Sequence, residues 1–181
     1  MSSFIQVAVL LLLAFSPVAK ASPAPAAVAF VGEFSNMRHT SEHAYGYSLE
    51  LWRSGNELFG LLSAADGLAG DTPAGLLEDV HFDPATAALS FTAKLSVGSV
   101  YLGKGKQEAT HDFFTFRGTF QNDKELSGTL THADKLQPGQ VPIRERLRLI
   151  KTVSHSTIQA TSYDGWKQSA DRILKFRGPR W

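Results

Sequence analysis

From Tyr45 to Leu149, apolar and polar positions mostly alternate with a period of two, the spacing of extended segments with one buried face. Tyr45, Tyr47, Leu49 and Leu51 interleave with Gly46, Ser48, Glu50 and Trp52. Ser54-Gly55-Asn56 then supplies a turn, and Glu57–Ala64 returns as the partner strand of a hairpin. Leu89, Phe91, Ala93 and Leu95 make a second alternating row, and Phe114, Phe116, Gly118 and Phe120 a third. Asn122-Asp123-Lys124 turns the chain into Leu126, Gly128 and Leu130, while Ile143, Leu147 and Leu149 stand opposite Arg144, Arg146 and Arg148. With Phe30–Met37 ahead of these and Leu77–Phe82 in the middle, the pattern predicts about eight strands. The links are short or rich in Gly and Pro, so neighbours can pair antiparallel without crossover helices. The expected fold is all-β: a single antiparallel up-and-down β-barrel, closed so that no edge is left exposed. A two-sheet β-sandwich is the alternative. Gly60, Gly118 and Gly128 each interrupt a predicted strand; such glycines let a wall curve, or leave room inside for a ligand.

Both ends of the chain break this rhythm. Val7–Phe15 is a continuous apolar run followed by Pro17 and by Ala19-Lys20-Ala21, an order that predicts a secretory signal peptide over 1–21, cleaved after Ala21. The run is too short for a transmembrane helix, which needs about 18–20 apolar residues. An Ala/Pro spacer over 22–26 leads into the barrel domain at 27–152. In the basic tail, 153–181, Trp166, Ala170, Ile173 and Leu174 fall at helical spacing, with Asp164 as candidate cap and Gly178-Pro179 as stop. The expectation is a short C-terminal helix or loose tail against an acidic barrel, its removal leaving the strands intact. The alternative is a basic aromatic arm for a membrane surface or anionic partner.

Composition removes chemistries rather than supplying one. The absence of Cys among 181 residues excludes disulfides, thiolate metal sites and a cysteine nucleophile. Formal charge is +1, and falls to zero once Lys20 leaves with the signal. Residues 22–152 carry 12 basic and 15 acidic side chains, which argues against the basic groove that nucleic acid requires. The Gly-rich stretch 66–75 has no Lys or Arg between Arg53 and Lys94 to hold a phosphate. Asp79, His81 and Asp83 share one strand face, an arrangement able to meet a cation but also that of a solvated wall opposite Leu76, Val80 and Phe82. No Gly-x-Ser-x-Gly, His-Glu-x-x-His or Ser-x-x-Lys signature occurs, so no catalytic or metal-binding residue and no cofactor is assigned.

The function these features suggest is a non-enzymatic, exported binding module, periplasmic or secreted, for a small apolar or amphipathic ligand. Its inner face is expected to hold Leu61, Leu95, Leu126 and Leu147, together with the candidate ligand-lining residues Tyr47, Leu49, Leu51, Phe59, Phe91, Phe114, Phe116 and Leu130. An eight-stranded barrel is just wide enough for its own side chains to fill instead. One alternative is a protein-interaction or inhibitor module acting on an exported partner through rim loops 66–75 and 97–110. A second is a hydrolase or metal-assisted enzyme using His81 or His111. In strand number, alternation and predicted export the chain resembles the broad lipocalin-like barrel class, a resemblance of architecture alone.

Overall fold

The computed structural model describes residues 27–68, 72–153 and 155–181; the expected signal peptide and spacer lie outside the described residues. Among the described residues eleven strands precede one helix: β1 Val28–Ser35, β2 Arg38–His39, β3 His43–Ser54, β4 Glu57–Leu68, β5 Ala74–Asp83, β6 Ala88–Leu95, β7 Ser99–Tyr101, β8 Gln107–Ala109, β9 Asp112–Asn122, β10 Glu125–Asp134, β11 Ile143–Lys151 and α1 Tyr163–Arg177. Strands β1, β3, β4, β5, β6, β9, β10 and β11 pair antiparallel in that order, and β1 joins both β3 and β11 to shut the ring. The result is a closed eight-stranded up-and-down barrel, and the sandwich alternative is not formed. Short β2 extends the edge of β3, while β7 and β8 form a separate hairpin. None of the helices among the described residues is long and apolar enough to cross a membrane.

Side-chain alternation puts Leu49, Leu51, Leu62, Leu89, Phe91, Leu95, Phe114, Phe116, Leu126, Leu130, Leu147 and Leu149 in one buried interior cluster. Phe91 and Phe116 stack across the β6–β9 ladder with ring centroids 5.1 Å apart. Gly118 and Gly128 face each other on β9 and β10, and a Cβ there would stand 2.5 and 2.7 Å from Cζ of Phe116. The two glycines therefore make room for the Phe116 ring, so the space above them is filled by the chain itself. At the end of the barrel near the β3–β4 turn, the Arg53 guanidinium and the Lys151 ammonium lie 5.9 Å from the ring centroids of Phe82 and Phe34.

The β4–β5 seam is thin. Its ladder consists of Leu61, Leu62 and Ser63 paired with Leu76, Gly75 and Ala74. Beyond it β5 bulges between Glu78 and His81, with Asp79 at φ 49°. A bulge adds one residue to one strand and reverses the phase of all that follows. Leu77, Val80 and Phe82 consequently face the interior, while Leu76 faces outward, which corrects its expected place beside Val80 and Phe82. Where the strands part, a cleft of about 760 Å³ opens along Leu58, Val80, Phe82 and Leu89.

A second apolar cluster sits on the outside of the barrel. Phe59 and Leu61 belong to it, together with Trp52, Ile158, Trp166 and Ala170. The expected inward placement of Phe59 and Leu61 is thus reversed: paired with Trp52 and Glu50 they turn outward, while Leu58 and Leu62, paired with Arg53 and Leu49, turn inward. Alternation alone could not choose the face, because Leu58-Phe59-Gly60-Leu61-Leu62 is apolar on both sides. Helix α1 covers the outward pair, with Trp166 edge-on to Phe59 at 4.5 Å. Trp166, Ala170, Ile173 and Leu174 form its buried stripe, as their spacing predicted. The N-cap is Ser162, whose hydroxyl accepts from Gly165 N at 3.2 Å; Asp164 instead stands in the first turn, where the helix dipole favours an acid.

Candidate functional site

One end of the barrel is rimmed by the starts of β3, β9 and β11 and the ends of β4 and β10. The inward row of each strand runs on to that rim but changes character, because side chains there are within reach of water. On β4 the row Leu62, Ala64 ends in Asp66; on β9 Phe116, Phe114 leads back to Asp112; on β10 Leu130 gives way to His132; on β11 Leu147 is preceded by Glu145. Together with Tyr45, Tyr47, Asn36, Val97 and Ile143, several of these enclose a mouth cavity of about 320 Å³. Its floor is aromatic: Tyr47 meets Phe114 edge-on at 6.2 Å, and His132 lies flat on Phe114 at 4.4 Å.

Asp112 holds this floor in place. It is 1% exposed, and its Oδ1 is 2.7 Å from Nε2 of His132. Its Oδ2 accepts from the Val97 amide at 2.7 Å and from the Thr110 hydroxyl. A buried carboxylate with that many donors is satisfied, and it ties both ends of the 97–110 segment to the His132 ring. Across the mouth, burial and the neighbouring Glu145 carboxylate, to which the Tyr47 hydroxyl is hydrogen-bonded, raise the Tyr47 phenol well above its ordinary range. Tyr47 is therefore a neutral donor at any physiological pH.

Among the residues expected to line a ligand site, Tyr47 and Phe114 reach the mouth. Leu49, Leu51, Phe91, Phe116 and Leu130 lie in the packed middle, and Phe59 is outside under α1. Asp112, His132 and Glu145 were not singled out by sequence reasoning, although carrying the inward rows of β9, β10 and β11 two residues further toward the rim reaches each of them; Asp66 was expected only as the start of rim loop 66–75, because the β4 row was expected on the wrong face. His132 and Asp112 have the imidazole and orienting carboxylate of a hydrolytic triad, but among the described residues no serine, threonine or lysine is hydrogen-bonded to His132. His81 is exposed on the outer wall opposite Ser90. His111 lies outside the mouth cavity, stacked on Trp181 at 4.9 Å with Nε2 3.5 Å from Glu108. Among the described residues no three His, Asp or Glu side chains converge to hold a metal ion.

The two rim loops also change shape. Residues 66–68 belong to β4 and 74–75 to β5, so the expected loop 66–75 shrinks to the few residues between them. Segment 97–110 is largely the β7–β8 hairpin, whose tip carries Tyr101, 68% exposed, and Leu102. In comparisons with known proteins no family model matches this chain, and no curated protein or solved structure matches it either.

Proposed function

We propose that this chain is an exported, non-enzymatic binding module that takes a small amphipathic molecule at the mouth of its barrel. The observation that carries the reading is the combination of a closed wall, a filled middle and a mouth cavity with an aromatic floor and a polar rim. Tyr47 and Phe114 supply apolar area, and the Asp66 and Glu145 carboxylates set acceptors around it. A site of this kind fixes a ligand's orientation by a few convergent polar groups on an apolar base. The acceptors outnumber the donors, so the ligand head that fits donates hydrogen bonds, as an amine or hydroxyl does. Export rests on the apolar run at Val7–Phe15 and the small-x-small step before Ser22.

The test is displacement of a bound hydrophobic fluorophore from the barrel by chain-length-matched amphiphiles. Dodecylamine and dodecanol should displace it and dodecanoate should do so at least tenfold less well, because Glu145 and Asp66 repel a carboxylate. Glu145→Gln, at an exposed rim position, should weaken dodecylamine about tenfold and leave dodecanol nearly unchanged. Equal displacement by all three heads, or an unaltered amine in the variant, removes the assignment.

The β7–β8 hairpin supports a second reading, contact with another exported protein. Tyr101 and Leu102 are large apolar side chains held out at its tip, where Tyr101 accepts a hydrogen bond from the Gly105 amide at 2.8 Å. Immobilised protein should then retain one periplasmic or secreted component that a Tyr101→Ser, Leu102→Ser variant releases.

A further inference from the structure

The outer wall formed by β9, β10 and β11 separates charge in a way the near-neutral total conceals. The ladders set its outward side chains in crossing rows: Arg117, Thr129 and Arg146; Thr115, Thr131 and Arg144; Thr119, Ser127 and Arg148. Adjacent strands lie about 4.8 Å apart, so Arg117 and Arg146, flanking β10, project about 10 Å from each other. The four carboxylates on these strands leave three of the arginines without a partner. Asp112 and Glu145 belong to the mouth, Asp134 accepts from the His111 and Leu136 amides, and Glu125 is held bidentately by Arg148 at 2.8 Å. Arg117, Arg144 and Arg146 are exposed, and a depression of about 510 Å³ lies among Thr115, Arg117, Thr129, Thr131 and Arg144.

A solvated wall ordinarily mixes both signs of charge. Here one sign alternates with hydroxyls over three strands, and we infer that this face binds an acidic polysaccharide lying across the strands. Planar guanidinium groups fit carboxylates in pairs, and threonine hydroxyls both donate to and accept from sugar hydroxyls. The crossing rows contain no aromatic ring on which a nucleic-acid base would stack and no apolar wedge to enter a bilayer. A polymer carrying both anionic groups and hydroxyls uses every side chain present. The surface is remote in character from the mouth, and the inference stands independently of the ligand proposed there.

The experiment is retention of the whole protein on immobilised polygalacturonate at low and moderate salt. Expected is binding that weakens as salt rises, no binding to uncharged dextran, and at least a tenfold loss in Arg117→Gln, Arg144→Gln, Arg146→Gln, whose thermal melt stays that of the parent. The triple arginine variant should still release the fluorophore to dodecylamine like the parent, which separates this face from the mouth. Equal retention on dextran, no retention on either polymer, or full retention by the triple variant overturns the inference. Tighter, equally Arg-dependent binding to duplex DNA or to phosphatidylglycerol vesicles overturns it as well, by assigning the face to another polyanion.

Discussion

Phe116→Asp leaves no cooperatively folded protein. The side chain is 1% exposed, stacks on Phe91 and spans the Gly118–Gly128 pair, so the substitution removes a ring and puts a carboxylate where no donor waits. Truncating a buried Phe costs about 3–5 kcal/mol, and an unpaired buried charge costs several more unless it takes up a proton. A domain holds about 5–15 kcal/mol in total, so the sum consumes most or all of it. Circular dichroism should show neither a strand spectrum nor a melting transition. Phe116→Leu keeps the site apolar and should fold with a loss of about 1–2 kcal/mol. An unchanged melt for the Asp variant would mean that the β9 register is wrong.

Trp166→Ala should lower stability by about 3–5 kcal/mol and the melting temperature by about 10 °C. The indole is 1% exposed between Phe59 and the body of α1, and with Ile158 it covers the outer apolar cluster of Trp52, Phe59 and Leu61. Among the described residues its buried Nε1 has no acceptor, a desolvated donor that costs about 1–3 kcal/mol. Trp166→Phe removes that donor and should therefore cost clearly less than the Ala variant; a Phe variant as weak as the Ala variant would show that the indole's bulk alone matters. Removal of 162–181 should cost more than either, because Trp52, Phe59 and Leu61 would all face water. The tail packs on the barrel, so its removal is expected to cost stability where the strands were expected to stand without it, and thermal melts of the three variants rank the effects.

Fold class was legible because eight half-buried strands repeat one simple rule and their connections are short. The interior followed wherever one side of a strand is polar: Leu49 and Leu51 beside Ser48 and Glu50, or Leu126 and Leu130 beside Ser127 and Thr129. It failed where both sides are apolar, as at Phe59, since the choice of face there is made by a helix over 100 residues away. It failed again at Leu76, because a single extra backbone residue near Asp79 shifts the phase and leaves no compositional trace. The mouth was half visible. Tyr47 and Phe114 announce themselves as apolar, whereas Asp112 and His132 become meaningful only once two strands in register bring them within 2.7 Å. Of the Arg-rich wall, the row Arg144, Arg146 and Arg148 was legible as one strand face, but its union with Arg117 and the threonines of β9 and β10 exists only once three strands lie in register.

The thin seam gives the tail a mechanical task. A sheet ring opens most easily where its rungs are few, and local opening of that kind sets which amides exchange early with solvent. Three rungs join β4 to β5, and α1 lies over both, touching Leu61 on one side and Leu76 on the other. Arg177 completes the bridge by donating from Nε to the Thr72 carbonyl at 2.6 Å and from Nη2 to the Ser63 hydroxyl at 3.2 Å. The helix is thus a splint across one of the two short joints of this hoop, the other being the two-rung seam of Phe34 and Ser35 against Lys151 and Ile150.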